Sequence, residues 1–313
     1  VPNPQSAIIP EPRESALFLV LGVRDAVAQR QSVAAVLARV PSLTEELAAL
    51  DPQAQLVSAV GIGSDLWNVV SPQRRPSGLR AFRSVLANGR IAPATGGDIL
   101  FHIVSGRYDL NFELAVKLVR ELGAAVEVLE EVHGFRYLDS RDLTGFIDGT
   151  ENPKGAERAA VALIGGEDAD FAGGSFVFTQ RYVHDLRKWM ALDTRDQERV
   201  IGRRKHDSED LGDAKPPTAH INRVTIEEDG KELKILRHSF PYGTVSEAGL
   251  FFAAYCRSLD IPERMLSRMF GTAGDGMHDR LMEFTTPVSG AAFFAPSLTV
   301  LKSLAKQGAN LRA

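Results

Sequence analysis

An unbroken apolar run, Ala16-Leu17-Phe18-Leu19-Val20-Leu21, lies between polar residues and Gly22, and its length predicts a strand buried on both faces. A helix follows over residues 25–40, where Pro41-Ser42 is expected to end it and restart a second helix toward Leu50. Residues 55–60 and 99–104 read as a second and a third strand. The period then changes. Ala115, Leu118, Val119 and Leu122 fall at i, i+3, i+4 and i+7, which is one face of a helix over residues 111–123 that Gly123 stops. A strand over residues 125–130 completes a β-α-β-β-α-β order.

The second half repeats that order with different lengths. Residues 175–181 read as a strand, and residues 185–191 and 195–201 as helices. Two strands, over residues 217–224 and 233–237, are expected to pair through a hairpin turn at Glu227-Glu228-Asp229-Gly230. Residues 250–254 form another strand. Residues 262–269 form a helix with Pro262 in its first turn and Gly271 just past its end. Residues 207–217 read as a solvated loop. The fold class expected is α+β: two ferredoxin-like units with antiparallel sheets, of the dimeric α+β barrel type. The boundary lies near residues 134–140, giving an N-terminal domain over 1–136 and a C-terminal, cofactor-carrying domain over 137–313. The duplication rests on element order, since no fixed-period repeat is present.

Composition narrows the class of protein. The 313 residues suffice for two domains, and 44% hydrophobic content supports ordinary cores. Lys plus Arg number 36 against 40 Asp plus Glu, so a net charge of -4 gives no electrostatic case for nucleic acid or an anionic membrane. The lone Cys256 rules out an intrachain disulfide, which suits a reducing, cytoplasmic location. No apolar stretch approaches the roughly 20 residues of a membrane span, and the N-terminus lacks a basic-plus-apolar signal pattern. Gly61-Ile62-Gly63 is too short for a dinucleotide fingerprint and reads as a strand-to-helix turn. Without an H-E-x-x-H motif or a cysteine pair, a zinc site has little support.

The run Gly145-Phe146-Ile147-Asp148-Gly149-Thr150-Glu151-Asn152-Pro153 holds one carboxylate between two glycines and stops at a proline, so backbone geometry aims Asp148. Asp-Gly is also a common turn dipeptide, and the run alone reads more readily as a plain surface turn. Downstream, His220 opens Pro217-Thr218-Ala219-His220-Ile221-Asn222-Arg223-Val224, and Arg237 leads Arg237-His238-Ser239-Phe240-Pro241-Tyr242-Gly243. An Asp, a His and an Arg converging on one pocket is a pattern with chemical content.

With these elements in order, the chain resembles the dye-decolourising peroxidases, a haem enzyme family marked by a G-x-x-D-G run, a downstream iron-ligating histidine and a later arginine. The resemblance covers nearly the whole chain, including Arg237-x-Ser239, Tyr242-Gly243 and the closing Ala292-Phe293-Phe294-Ala295-Pro296-Ser297. It is greatest to the compact bacterial branch called class B. It implies a haem b peroxidase that reduces hydrogen peroxide and oxidises small phenolic or dye-like aromatic donors. His220 would ligate iron and Asp279 would hold its other ring nitrogen, with Asp275 as competitor and a solvated aspartate as the plain alternative. Asp148 would relay a proton and Arg237 would steady negative charge. Ser239 would hold a water beside them, although some relatives carry Asn there. Arg203 would pair with a haem propionate, and Glu151 joins the pocket through its closeness to Asp148. No electron path is assigned to Trp67, Trp189 or the tyrosines.

Two rival classes remain. A haem-handling protein would keep His220 without needing Asp148 and Arg237, and a haem-free ferredoxin-like oligomer or monooxygenase would need none of them. Exposed sheet edges suggest a homo-oligomer. Residues 301–313 offer no long flexible tail of the kind a nanocompartment cargo tag needs, so encapsulin packaging is not expected.

Overall fold

The computed structural model describes residues 3–87 and 89–309. In the first half, β1 (Ser15–Val23), β2 (Val57–Gly63), β3 (Ile99–Ser105) and β4 (Val126–Phe135) form an antiparallel sheet in the order β4-β1-β3-β2. The second half gives β5 (Ser175–His184), β6 (Leu236–Arg237 and Phe240–Gly243), β7 (Ala248–Cys256) and β8 (Ala291–Ala295). Their order, β8-β5-β7-β6, is the same permutation. This is the ferredoxin-like order, twice. The sheets meet along two seams, with Phe293 of β8 opposite Gly63 of β2 and Tyr242 of β6 opposite Gly134 of β4, so eight strands close a barrel. The expected α+β class with antiparallel ferredoxin-like sheets is what the chain forms. The exposed edges expected to drive association are instead turned toward each other at the seams.

Burial on both faces explains why β1 reads as an unbroken apolar run. Leu17, Leu19 and Leu21 pack under the helices with Val33, Leu37, Leu114 and Leu118, while Ala16, Phe18 and Val20 point into the barrel. Cys256, the chain's one cysteine, ends β7 fully buried. Burial pushes its thiol pKa far up.

Two expectations are corrected. The break at Pro41 does not occur: α1 runs from Ala26 to Ala48 through the proline. A proline inside a helix costs about 3 kcal/mol. Val33, Val36, Leu37, Val40, Leu43 and Leu47 form one continuous buried stripe, and at roughly 1.5–3 kcal/mol per buried side chain the stripe outweighs that cost. Ser42 Oγ and Thr44 Oγ1 donate to the carbonyls of Arg39 and Val40 beside it.

The second correction concerns residues 217–224, which form not a strand but a turn and the short helix α3 (His220–Val224). A helical turn puts His220, Ile221 and Val224 on the cavity and buries Arg223 elsewhere, which strand alternation would not do. The turn at Asp229-Gly230 is present, with φ of 51° and 71°, but it joins strands of only two residues, Glu227–Glu228 and Lys231–Glu232. Leu236–Arg237 belongs instead to the barrel, paired with β7.

β5 and β7 frame the main cavity. Phe178, Gln180, Tyr182 and His184 of β5 and Leu250 and Phe252 of β7 line it. Gly249 allows the two strands to approach: a Cβ there would lie 1.8 Å from the Tyr182 carbonyl oxygen. Gly249→Ala should therefore separate β5 from β7 and destabilise the protein by about 1–3 kcal/mol, the usual cost of overpacking. A thermal midpoint unchanged from wild type would contradict that geometry.

Candidate active site

The cavity measures about 440 Å³, within the size range of cofactor and ligand sites. Its acid comes from the loop after β4. Gly145 and Gly149 take φ of 87° and 78°, values open to glycine and strained for other residues. Arg141 donates to the Gly145 and Lys205 carbonyls at 2.8 Å each, and the Asp148 N–H donates to the Ser140 carbonyl at 2.9 Å. The loop is thus held by its backbone, and Asp148 is presented to the cavity.

Arg237 arrives from β6. Its Nη2 lies 3.7 Å from Asp148 Oδ1, an ion pair too long for a direct hydrogen bond. Asn152 joins the two segments. Its side-chain NH₂ donates to the Arg237 carbonyl at 2.8 Å, and its Oδ1 accepts from the Arg237 N–H at 2.9 Å. One amide therefore closes both backbone valences of Arg237 in place of a neighbouring strand. Ser239 lies on the same cavity-lining face, two residues on, and its Oγ accepts weakly from Ala253 N–H at 3.4 Å.

His220 opens α3, with Nδ1 2.6 Å from Asp279 Oδ2. Asp279 is fully buried, whereas 26% of the His220 side chain is exposed. The other Asp279 oxygen accepts from the Leu281 N–H at 2.8 Å, so this carboxylate has partners on both sides. Asp275, the competing candidate, pairs with Arg223 instead. Arg203 lines the cavity, donates to the Ser208 carbonyl at 2.7 Å and pairs with Glu151 at the exposed rim.

Burial raises the pKa of Asp148; the Arg237 charge pulls it down and Asp142 adds to the rise. About a third of the Asp148 side chain, 31%, stays accessible, but it opens onto a protein-walled cavity where water solvates it poorly. Asp142 goes the other way. Burial alone would raise it, yet His184 at 3.2 Å and two donors from Thr144 bring it to about 2.

Residues 5–136 match the family model described as Dyp-type peroxidase, N-terminal, and residues 139–300 match Dyp-type peroxidase, C-terminal. The chain belongs to the Dyp-type peroxidase family. A dye-decolorizing peroxidase of Mycolicibacterium paratuberculosis is 43% identical over 92% of this chain and 82% of its own. One from Mycobacterium tuberculosis is 41% identical over 96% and 90%. Among solved structures, DypB from Rhodococcus jostii superposes with a TM-score of 0.92 at 42% identity, covering 95% of this chain and 97% of that one. An encapsulated DyP-type peroxidase from Mycobacterium smegmatis gives 0.93 at 40% identity, covering 96% and 98%. Packaging is thus known in a near relative; of the tail weighed above, residues 310–313 lie outside the described residues.

In this Dyp-type peroxidase Asp148, Glu151, Arg203, His220, Arg237 and Ser239 line the cavity and Asp279 contacts His220, whereas Asp275 lies away from it on Arg223. Three contributors were not singled out: Asn152, the Asp142–His184 pair and Arg223. Asn152 stood inside the loop run, directly before Pro153, but nothing local signals a bond to a backbone 85 residues away. Among the described residues, no helix is long and apolar enough to cross a membrane.

Proposed function

We propose that this chain is a haem b peroxidase that reduces hydrogen peroxide and oxidises phenolic or dye-like aromatic donors. The observation that carries this is one cavity lined by an imidazole backed by a buried carboxylate and by an acid–arginine pair. The cavity suits the group. Its walls are apolar at Phe178, Leu250, Phe252, Met265 and Leu266, as a flat macrocycle needs. Arg203 Nε and Arg237 Nε are buried without partners among the described residues, so the cavity holds cationic donors awaiting acceptors. Several R. jostii DypB structures are described as complexes with heme.

When bound, haem supplies the iron that carries the redox chemistry. His220 would ligate it through Nε2, since Nδ1 is committed to Asp279, which also fixes the tautomer and makes the ligand more basic. Arg203 would meet a propionate, exchanging its exposed partner Glu151 for a bound carboxylate. Asp148 would take the proton that leaves one peroxide oxygen and return it to the other, while Arg237 would offset the developing negative charge. Ser239 would hold a water beside them. Two donor molecules supply the two electrons that bring peroxide to water. All these residues belong to the proposed second domain, 137–313, with 1–136 completing the barrel. We read the buried, unpaired Cys256 as suiting the cytoplasm, and the exposed Phe112, Val128, Leu129 and Leu138 as supporting a homo-oligomer.

The direct test is the absorption spectrum of haem-reconstituted protein before and after peroxide. A Soret band that shifts on mixing is expected. A band unmoved by peroxide would favour the haem-handling alternative, and no band at all would remove haem from the reading.

Arg203→Ala should speed haem loss by about 10- to 100-fold, the equivalent of one charged hydrogen bond, without altering the axial ligand. Unchanged haem dissociation would return Arg203 to a purely structural pairing. A pH effect also follows. The ionised form of Asp148 accepts the proton, so peroxide consumption should fall as pH drops through the raised Asp148 pKa and level off above it. Asp148→Asn should flatten that limb, and an unchanged profile in the variant would assign the limb to another group.

A further inference from the structure

The contacts behind His220 do not stop at Asp279. One turn along α3 from His220, Arg223 is 1% exposed, and each of its three guanidinium nitrogens has a partner. Nε donates to the Arg268 carbonyl at 3.1 Å, and Nη1 to Asp275 Oδ2 at 2.7 Å. Nη2 donates to Asp275 Oδ1, the Arg268 carbonyl and the Met277 carbonyl, at 3.1, 3.0 and 3.1 Å. Arg268 lies in the last turn of the helix α4 (Asp260–Phe270) and reaches back: its guanidinium donates to the Thr225 and Asn222 carbonyls at 2.6 and 2.7 Å. Each helix therefore has its final carbonyls capped by the other's arginine.

This crossed pair joins the two segments that carry the His220–Asp279 contact. His220 rides on α3, and Asp279 follows the stretch 271–278, which holds three positive-φ glycines, Gly271, Gly274 and Gly276. Such a stretch has little stiffness of its own. Arg223 grips it at Asp275 and at the carbonyl of Met277, two residues before Asp279. A buried arginine is costly to keep and gives little net stability, so a role in geometry explains its retention better than a role in folding energy.

We propose that Arg223 is a positioning residue for the iron ligand: by clasping Asp275 and the Met277 carbonyl, it sets how closely Asp279 approaches His220 and so how strongly His220 donates to iron. The inference rests on His220 being that ligand. A 2.6 Å contact to a carboxylate is short enough that a slight retreat weakens it sharply. Lysine could not substitute, because the grip uses the planar fork on a carboxylate and two carbonyls at once.

The test compares haem-reconstituted wild type, Asp279→Asn, Asp275→Asn, Asp275→Glu and Arg223→Lys. The readouts are the ferrous iron–histidine stretch by resonance Raman and the ferric/ferrous midpoint potential, which simple loss of stability would not move. Asp279→Asn should lower the stretch and move the potential positive. Asp275→Asn and Arg223→Lys should shift both in the same direction by less, with Asp275→Glu returning toward wild type. Should Arg223→Lys not fold, Asp275→Asn decides alone, since Asp275 sits on a partly exposed loop. Wild-type values in Asp275→Asn beside a shifted Asp279→Asn would overturn the clasp and leave the ligand reading intact. No shift in Asp279→Asn would overturn the ligand reading itself.

Discussion

His220→Ala is expected to lose most of its haem on reconstitution, and whatever haem it retains should show an altered Soret band. The reason is the economy of the site. Among the described residues His220 is the one histidine with its Nδ1 tied to a fully buried carboxylate and its ring on the cavity, so none of the others is placed to take over the iron. His184 also lines the cavity, but both its ring nitrogens have partners, Thr285 at 2.7 Å and Asp142 at 3.2 Å. Removing the imidazole also strands Asp279, buried, without its partner. That should cost stability, in the range of about 3–5 kcal/mol seen when one member of a buried pair is lost. His220→Ala/Asp279→Ala should recover part of that stability without recovering the spectrum. Full haem occupancy with an unchanged Soret band in His220→Ala would remove the assignment.

The second large effect separates the acid from the cation. Arg237→Leu should slow the first step after peroxide mixing by about 10²–10³-fold, comparable to losing an oxyanion donor. Asp148→Asn should fall toward the lower end of the 10²–10⁴-fold range for a positioned acid–base group, because water can replace a proton relay more readily than a fixed cation. Arg237 also lowers the Asp148 pKa, so its removal should move the acid limb to higher pH. At 3.7 Å the two groups are coupled, and the double variant should be little worse than the worse single one. Stopped-flow mixing with peroxide ranks the three. Near wild-type rates in both single variants would eliminate the proposed acid–cation site.

What the sequence made legible followed from physical range. The barrel strands were readable because burial on both faces leaves apolar runs, unbroken in β1 and interrupted only by His102 in residues 99–104 of β3, and Gly123 and Gly271 marked helix ends through their freedom at positive φ. Pro41 misled because the local rule counts the missing N–H bond but not the buried stripe passing through it. Residues 217–224 misled because α3 is a single short turn of helix, too brief to show a period. The convergence of Asp148, His220 and Arg237 followed from family likeness, since the hairpin at Asp229-Gly230 joins two-residue strands and not the segments that carry the last two. Asn152 and Arg223 stayed hidden for a different reason: each acts on distant backbone carbonyls, which carry no side-chain signature.

A protein that works on peroxide must survive it, and the setting of Cys256 bears on that. Oxidation of cysteine begins at the thiolate, and here burial both excludes peroxide and keeps the sulfur protonated. With a single cysteine in the chain, an intramolecular disulfide cannot form, and burial alone guards the sulfur against the steps through sulfenic to sulfinic and sulfonic acid. Of the sulfur-bearing side chains, Met265 and Met269 lie on the cavity wall, where a sulfoxide would put a polar group against an apolar surface. The sulfur placed beside the site of turnover is therefore thioether and not thiol.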